Sequence, residues 1–409
     1  MTPLIQSLLD TDYYKFTMGQ VVFKKYGAIP VKYTFKNRTA SVNIADYIDE
    51  GRLRAELDAV MALQFQQEDL AYLANLKIDG QAVFEAPYVD FLSSLKLPPY
   101  TLEIQNGHFR MEFSGPWGEG IYWEIPALAI VNELYHQAVA GSARKSLDKA
   151  YAEGKQRLDK KINCLKAHSG IRFADFGTRR RFGRSWQEEV LTRLKEEAPN
   201  QFTGTSNVAL AKKLNLTPVG TFAHEMYMVM SGVMNGCDES IQKSHNVVLH
   251  EWWEQYGAGL SIALTDNYGT DFFFRDFSVD QAAKWRGLRQ DSGDPVAFGE
   301  KTIAFYERIG VDPKRKMIVF SDGLDIETMV RLFNRFHERI MVSFGWGTNL
   351  TNDLGYRPLS IVIKATESNG CGTVKLCDNL AKAMGRQEDI ERFKKIFGHR
   401  GTLYEECRY

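Results

Sequence analysis

The sequence predicts an α/β protein whose larger part is an α/β barrel or a doubly wound sheet. From about Ile171 onward, short apolar runs typical of buried parallel strands recur, and helical segments lie between them. Each run ends in a cluster of Asp, Gly, Arg or Thr, as in Asp175-Phe-Gly-Thr-Arg179 and Ser321-Asp-Gly323. Strands that end in this way present polar groups at the mouth of a sheet or barrel. Several such ends together would hold a sugar phosphate.

The first third of the chain is expected to fold differently, as a mixed α and β unit. Residues 46–63 predict an amphipathic helix. Its apolar side is formed by Ile48, Leu53, Leu57, Val60 and Met61. Residues 101–104 and 109–113 alternate apolar and polar side chains about Asn106-Gly107, which predicts an antiparallel hairpin.

Helices dominate the prediction between and after these strands. Residues 124–140 predict a long apolar helix, with Pro126 in its first turn. The helices of the larger unit are predicted over residues 185–198, 281–285, 294–309 and 326–337. A strand over 374–377 and a charged helix over 379–398 end the chain, and we expect this last stretch to pack on the N-terminal unit.

Charge and composition exclude several classes of partner. Lys plus Arg and Asp plus Glu both number 51, so the formal net charge is zero, and neither nucleic acid nor a membrane is an expected partner. The sequence shows no apolar run of spanning length, no leader and neither common nucleotide-binding loop. Scattered cysteines favour reduced thiols in a cytoplasmic protein over a zinc site. They are Cys164, Cys237, Cys371, Cys377 and Cys407.

Several strand ends carry groups that bind anions. One strand is followed by the arginines Arg179, Arg180, Arg181 and Arg184. A charge run is ordinarily a solvated face, whereas guanidinium groups at a strand end also suit phosphate or carboxylate. The turns at residues 204–206 and 345–348 are small and polar, and their backbone N–H groups could line an anion site.

Two carboxylates, Asp291 and Asp322, end further strands. Aspartate beside glycine after a strand is often plain turn chemistry. As a set, however, these carboxylates could accept ribose hydroxyls, hold Mg²⁺ and stabilise an oxocarbenium-like centre when a glycosidic carbon loses its leaving group.

His224 is the most informative single residue. A lone histidine is more often structural than catalytic, but Glu225 is its neighbour, and Asp266 at the next strand end is placed to hold its other ring nitrogen. An imidazole oriented by a carboxylate is the arrangement needed for a general base or for a nucleophile that accepts a phosphoryl group.

Together these motifs resemble the nicotinate phosphoribosyltransferase family in its shorter form, along nearly the whole chain. The matching segments are Leu9-Asp-Thr-Asp-Tyr-Tyr-Lys-Phe-Thr-Met18, Asp175-Phe-Gly-Thr-Arg179, Gly204-Thr-Ser206, Gly220-Thr-Phe-Ala-His-Glu-Met226, Arg289-Gln-Asp-Ser-Gly-Asp-Pro295 and Val374-Lys-Leu-Cys-Asp378. Phe222 lies at a variable place in the histidine motif, and Cys377 stands where serine is usual.

The resemblance implies a reaction, a fold and an assembly. Nicotinate and 5-phosphoribosyl 1-pyrophosphate would give nicotinate mononucleotide and pyrophosphate in NAD salvage, driven by ATP through a transient phosphohistidine at His224, with Mg²⁺ as cofactor. The implied fold is a distorted α/β barrel over residues 126–374, with a smaller α/β domain formed by residues 1–125 and about 375–409. The implied assembly is a homodimer with shared active sites, in which Tyr14 reaches into the partner's site.

The resemblance also implies roles within the site. His224, Asp266 and Asp291 would be catalytic. The binding residues would be Phe176 on the pyridine ring, Arg179 and Arg289 on phosphate, pyrophosphate or carboxylate, Asp291 and Asp322 on the ribose, and Gly345, Gly347 and Thr348 on its 5-phosphate. Ser206 would favour nicotinate, because a carboxylate at this place suits an amide and repels the carboxylate of the acid.

Other functions stay open on the sequence. A nicotinamide or quinolinate phosphoribosyltransferase is the nearest alternative; Ser206 argues against the first and the His224 motif against the second. An aldolase would need a Schiff-base lysine at a strand end, for which Lys364 is the candidate. A non-catalytic nucleotide sensor would bind ligand without turnover.

Overall fold

The computed structural model describes residues 2–141 and 144–405 of the chain. The strands are β1 (Pro30–Asn37), β2 (Lys77–Ile78), β3 (Gln81–Ala82), β4 (Tyr100–Gln105), β5 (His108–Pro116), β6 (Phe173–Asp175), β7 (Phe202–Thr205), β8 (Ile262–Leu264), β9 (Gly287–Gln290), β10 (Met317–Phe320), β11 (Met341–Trp346), β12 (Ile361–Ser368) and β13 (Cys371–Gly372). The helices are α1 (Tyr13–Lys25), α2 (Glu50–Met61), α3 (Gln67–Ala74), α4 (Ala86–Ser93), α5 (Trp117–Gly120), α6 (Glu124–Ala140), α7 (Arg144–Ala167), α8 (Arg184–Glu197), α9 (Val208–Leu214), α10 (His224–Val233), α11 (Asp238–Tyr256), α12 (Thr270–Asp276), α13 (Val279–Lys284), α14 (Pro295–Arg308), α15 (Ile326–Phe336), α16 (Thr348–Thr351) and α17 (Gln387–Phe397). Short 3₁₀ turns lie at Ile44–Asp46, Thr178–Arg180, Gly257–Leu260, Pro313–Arg315 and Leu380–Lys382.

The strands β6 to β11 form a parallel sheet in the order β7-β6-β11-β10-β9-β8. The last strand of this series, β11, pairs with the first, β6, through Phe344 and Phe173, which is the cyclic order of a barrel. Beyond β7, Thr205 donates its amide to the carbonyl of Thr217 and accepts from the amide of Val219, at 3.1 and 2.9 Å. This segment continues the ring, and the gap before β8 leaves the barrel distorted. The α/β barrel is confirmed and the doubly wound alternative is excluded.

The N-terminal sheet is antiparallel, in the order β13-β12-β1-β5-β4. Strand β12 pairs with β1 along its length, so the chain returns to this sheet from Ile361, earlier than the predicted residue 375. Segments from both parts of the chain therefore build the smaller α/β unit, as expected. The division at residues 125 and 375 stays a prediction, and residues 406–409, with Cys407, lie outside the described residues.

The predicted hairpin is confirmed, since β4 and β5 pair on either side of Asn106 and Gly107. Both residues have a positive φ, 53° and 78°, as a two-residue type I′ turn requires and as Asn-Gly readily adopts. The long apolar helix is confirmed as α6. The four predicted helices of the barrel unit are present as α8, α13, α14 and α15, with ends that differ by one or two residues.

The first predicted helix is shorter than expected. It begins at Glu50, because the side chain of Asp49 accepts a hydrogen bond from the amide of Arg52 and caps the helix there. Met61, which was expected on the apolar side, is 38% exposed at the last position of α2. The remaining apolar positions of the helix, Leu53, Leu57 and Val60, are buried as predicted.

The end of the chain departs from its prediction. Lys375 and Met384 form an isolated bridge where the sequence predicts a strand. The terminal helix begins only at Gln387, as α17, and packs on α11, while Asp389 in its first turn lies against Gly372 of β13 in the N-terminal sheet. At its other end the ring of Phe397 stacks against Tyr268 of the barrel unit with centroids 3.7 Å apart. Among the residues described, none of the helices is both long and apolar enough to cross a membrane.

Candidate active site

A cavity of about 410 Å³ lies between the barrel and the N-terminal sheet. On the barrel side it is lined by residues at the carboxyl ends of β6, β9, β10 and β11, and on the other side by β12 and by Arg38 directly after β1. The carboxyl ends of parallel strands point to the same side of a barrel, so the polar strand ends in the sequence converge here.

Ten of the twelve site residues predicted from the sequence line this cavity. They are Tyr14, Phe176, Arg179, His224, Arg289, Asp291, Asp322, Gly345, Gly347 and Thr348. The other two, Ser206 and Asp266, are 0% and 1% exposed and lie behind the wall.

His224 is the first residue of α10 and is held by two carboxylates. Its Nε2 lies 2.9 Å from Oδ1 of Asp266 and 3.7 Å from Oδ2 of Asp291. The second oxygen of Asp266 accepts a hydrogen bond from Ser292 Oγ at 2.6 Å. The predicted pairing of His224 with Asp266 is therefore present, and Ser292 orients the carboxylate from behind.

The protonation states of His224 and Asp266 determine which nitrogen of the imidazole is reactive. Burial and the nearby Lys375 lower the pKa of His224 to about 4 despite Asp266, so the imidazole is neutral near pH 7. Burial alone would raise the pKa of Asp266, but the hydrogen bond from His224, the nearby Lys375 and the hydrogen bond from Ser292 outweigh it and keep the carboxylate ionised. An ionised carboxylate can only accept, so Nε2 carries the proton and donates, and Nδ1 keeps its lone pair. This arrangement suits a nucleophile.

Ser206 does not face the cavity. Its hydroxyl donates to Oδ1 of Asp12 at 2.7 Å, and it is Asp12 that lines the wall. Burial raises the pKa of Asp12, against the lowering effect of hydrogen bonds from Ser206 and Thr178. The side chain at this part of the cavity wall is therefore the carboxylate of Asp12, where the sequence argument expects the hydroxyl of Ser206.

Tyr14 lines the cavity of its own chain and is 7% exposed. The resemblance implies that this residue reaches into a partner's site. In this chain the tyrosine contributes to the cavity formed by its own barrel, and its reach into a partner's site stays a prediction.

Phe176 packs against the glycines at the end of β11. A Cβ built on Gly345 would lie 3.2 Å from Cδ2 of Phe176, and one on Gly347 would lie 3.3 Å from the carbonyl oxygen of Phe176. The amide of Phe176 also donates to the carbonyl of Trp346 at 2.8 Å. Glycine at both positions thus lets the aromatic ring and the backbone of the turn share one wall of the cavity.

The cavity is strongly cationic. Its basic lining residues are Arg38, Arg179, Arg180, Arg289, Lys364, Lys375 and Lys382, and its acidic ones are Asp12, Asp291, Asp322 and Asp325. This excess of positive charge selects anionic ligands. Of these residues the sequence argument did not find Asp12, Arg38, Lys375 or Lys382.

These residues were missed because they come from the N-terminal unit and the end of the chain, far in sequence from the barrel strands.

Lys364 was noticed as an aldolase candidate, but it forms an ion pair with Glu124 at 2.8 Å. Burial lowers its pKa to about 8, with Glu124 opposing the shift. A lysine held in an ion pair on β12 does not match the strand-end Schiff base that an aldolase needs. A charged residue inside an apolar strand, as in Ile361-Val-Ile-Lys364, is the signal that identified this lysine in the sequence.

The arginine run divides between the cavity and the interior. Arg179 and Arg180 line the cavity, whereas Arg181 is fully buried and makes two hydrogen bonds to Asp10, at 2.7 and 2.9 Å. The run is thus not a solvated face. Arg181 ties the N-terminal segment to the barrel, and Arg179 and Arg180 serve the cavity.

A metal ion bound beside His224 would have both nitrogen and oxygen ligands. Among the residues described, His224, Asp266 and Asp291 offer ligand atoms within 4.8 Å of one another. Mg²⁺ prefers oxygen ligands, and Asp291 and Asp322 offer carboxylates on the cavity wall. Desolvation would raise the pKa of Asp291, but Arg289 and His224 bring it to about 2, so this carboxylate is ionised. The two aspartates fit Mg²⁺ bound together with substrate phosphates.

The fold and the cavity define an α/β-barrel protein of the phosphoribosyltransferase class. Residues 171–400 match the profile of the nicotinate phosphoribosyltransferase (NAPRTase) family, and residues 9–132 match that of its N-terminal domain. The chain therefore belongs to the nicotinate phosphoribosyltransferase family.

Solved structures agree with this assignment. The chain is 32% identical to a nicotinate phosphoribosyltransferase from Porphyromonas gingivalis, with a TM-score of 0.87 over 96% of this chain and 100% of the other. It is 33% identical to a nicotinate phosphoribosyltransferase from Vibrio cholerae, with a TM-score of 0.87 over 97% of this chain and 95% of the other. The likeness covers both the barrel and the N-terminal unit.

Proposed function

We propose that the protein couples nicotinate to 5-phosphoribosyl 1-pyrophosphate, giving nicotinate mononucleotide and pyrophosphate, and that ATP drives the reaction through a phosphorylated His224. The observation that carries this proposal is His224 itself, a neutral imidazole oriented by Asp266 at the wall of a cationic cavity. Family membership supports the choice of substrates.

In the proposed first step, His224 is the nucleophile towards ATP. Its unprotonated Nδ1 attacks the γ-phosphorus, a P–N bond forms, and the P–O bond to ADP breaks with its electron pair left on ADP. Asp266 keeps the proton on Nε2 and stabilises the positive charge that the ring gains. Water later breaks the P–N bond and releases phosphate, which restores His224.

In the proposed transfer step, the pyridine nitrogen of nicotinate attacks C1 of the ribose while the bond from C1 to pyrophosphate breaks. Pyrophosphate leaves with the electron pair. Phe176 stacks on the pyridine ring, and Asp291 and Asp322 accept ribose hydroxyls and stabilise the oxocarbenium-like carbon. Backbone N–H groups of the turn at residues 345–348 bind the 5-phosphate.

ATP and Mg²⁺ are the proposed cofactors. Mg²⁺ would neutralise charge on the phosphate groups of the substrates. Asp291 and Asp322 would supply its protein ligands, and the hydrogen bond between His224 and Asp266 would be left intact. Lys382 forms an ion pair with Asp322 and would hold that carboxylate in place.

A second candidate substrate is nicotinamide, because the carboxylate of Asp12 lines the cavity. A carboxylate can accept hydrogen bonds from an amide and repels the carboxylate of nicotinate. Ser206 lies behind Asp12 and cannot by itself exclude nicotinamide.

The test is product formation from 5-phosphoribosyl 1-pyrophosphate and Mg²⁺ with nicotinate, nicotinamide or quinolinate, each with and without ATP. We expect nicotinate mononucleotide that rises with ATP, together with release of ADP. Product without any response to ATP would remove the phosphohistidine step but keep the transfer. Turnover with nicotinamide but not with nicotinate would make nicotinamide the substrate. Ligand binding without turnover would indicate a nucleotide sensor. Light scattering on the same sample tests the homodimer that the family resemblance implies.

A further inference from the structure

Five charged side chains form a cluster at and behind one wall of the cavity, which we call the charged cluster. They are Lys15, Glu124, Arg179, Glu225 and Lys364. The side chain of Lys15 is 0% exposed, and those of Glu124 and Glu225 are 2% and 3% exposed. Arg179 and Lys364 line the cavity. Three of the five charges are therefore inside the protein, and two face the ligand.

Glu124 is the centre of the charged cluster. Its Oε1 lies 2.8 Å from Nζ of Lys364 and 3.5 Å from a guanidinium nitrogen of Arg179. Its Oε2 lies 2.7 Å from Nζ of Lys15. One buried carboxylate thus holds both cavity cations on the same oxygen. Because the two cations repel each other, the anion between them is what keeps them together.

Helix α6 fixes Arg179 at two points. Glu124, the first residue of the helix, contacts its side chain, and Asn132, two turns later, donates from Nδ2 to its carbonyl oxygen at 3.1 Å. The backbone and the guanidinium of this arginine are therefore placed by one rigid element.

The other end of the charged cluster reaches the helix of the catalytic histidine. Glu225 directly follows His224, and its Oε2 accepts from Lys15 at 2.5 Å. Its Oε1 accepts from the hydroxyl of Tyr33 at 2.6 Å and from the indole N–H of Trp117 at 2.9 Å. Glu225 is thus fully engaged inside the protein, and Lys15 connects it to Glu124.

The charged cluster consists of three cations and two anions. Lys15 lies between the two glutamates, so the cations that face the cavity are Arg179 and Lys364. A positive charge in a partly desolvated wall is stabilised by a bound anion. An anionic group of the substrate would complete the charged cluster.

We propose that Glu124 is a positioning residue for the transfer reaction, an inference that rests on the proposed function. It holds Arg179 and Lys364 as a pair that binds an anionic group of the substrate. Through Lys15 and Glu225 it also fixes that pair relative to His224.

Binding of inorganic pyrophosphate, measured by calorimetry, tests this role without turnover. Glu124→Gln keeps the shape of the side chain and removes its charge, and we expect its Kd for pyrophosphate to rise about 10- to 100-fold. Glu133→Gln is the matched control, because it makes the same change on the same helix at a residue that contacts Arg184 outside the cavity. Its Kd should stay within about twofold of wild type. Wild-type binding by a folded Glu124→Gln protein would overturn the proposal.

A second comparison guards against simple loss of structure. If Glu124 acts through Lys364, then Glu124→Gln should weaken binding much less in a Lys364→Met background than in the wild-type background. Equal effects in the two backgrounds would contradict the proposal, and circular dichroism shows that each protein is folded. In turnover, Glu124→Gln should raise KM for 5-phosphoribosyl 1-pyrophosphate more than it lowers kcat. If wild type turns nothing over while the binding pattern holds, the proposed function fails and the positioning role stands.

Discussion

Replacing Asp266 by asparagine should separate ATP coupling from transfer. One oxygen of Asp266 accepts from His224 at 2.9 Å, and the other accepts from Ser292 at 2.6 Å. An asparagine has a single acceptor oxygen, and when Ser292 keeps it, the amide N–H₂ faces the imidazole and donates to Nε2. The ring proton must then move to Nδ1, which loses the lone pair needed to attack ATP.

The expected loss is at least about 100-fold in the rate of phosphohistidine formation. A hydrogen bond to a charged group contributes about 1.5–3 kcal/mol, and about 1.4 kcal/mol is a factor of ten in rate. The lost charge alone therefore accounts for roughly 10- to 150-fold. The unfavourable tautomer adds to this loss, so the total reduction in the rate of phosphohistidine formation should lie at or beyond the upper end of this range. Transfer without ATP should change much less, because Asp266 lies behind the cavity wall.

The assay is incorporation of radiolabel from γ-labelled ATP, quenched in base because phosphohistidine is labile in acid. His224→Ala gives the background. Asp276→Asn is the matched control, since Asp276 pairs with Nδ1 of His245 at 2.6 Å, away from the cavity. The Asp276→Asn protein should incorporate radiolabel at the wild-type rate. Labelling of Asp266→Asn at the wild-type rate would refute the assigned tautomer and the role of Asp266.

Three further outcomes are expected. Asp12→Asn should shift selectivity about tenfold towards nicotinate, since it removes a negative charge from the cavity wall; in a competition assay, an unchanged ratio of nicotinate to nicotinamide use would show that Asp12 does not contact the acceptor. Arg181→Met should lower the free energy of unfolding by about 3 kcal/mol, because it removes the two hydrogen bonds of the closest cation and leaves buried Asp10 only Asn207 and the more distant Arg184 as partners; urea unfolding measures this, and a change below about 1 kcal/mol would contradict it. Burial lowers the pKa of His136 to about 4, while the unfolded chain binds this proton near pH 6.5. Its contribution to stability is therefore complete above pH 6.5 and lost as pH falls towards 4, by up to about 3 kcal/mol; a His136→Leu protein with the same pH dependence as wild type would contradict this.

Much of the barrel could be predicted because its signals are local. Buried parallel strands are apolar along their whole length, and the helices between them show their own periodicity. Asp291 and Asp322 stand next to strand ends, and His224 follows the segment that bridges β7 at Pro218. A parallel arrangement brings such residues together whatever the details of packing. The terminal helix shows the limit of this reasoning, since its contact with Tyr268 depends on a partner more than a hundred residues away.

The sequence by itself determined the α/β class, the family resemblance and the residues at the carboxyl ends of the parallel strands, since each of these depends on neighbours along the chain. The strand order that makes the parallel sheet a barrel was decided by the tertiary structure. Only the tertiary structure decided that Asp12 rather than Ser206 faces the cavity, because that depends on a hydrogen bond between residues far apart in sequence. It also decided that Lys364 and Lys375 join the site and that Glu124 lies behind Lys364. These side chains come from elements that fold over the barrel, and their positions follow from long-range packing and charge pairing, which leave no periodic pattern in the sequence.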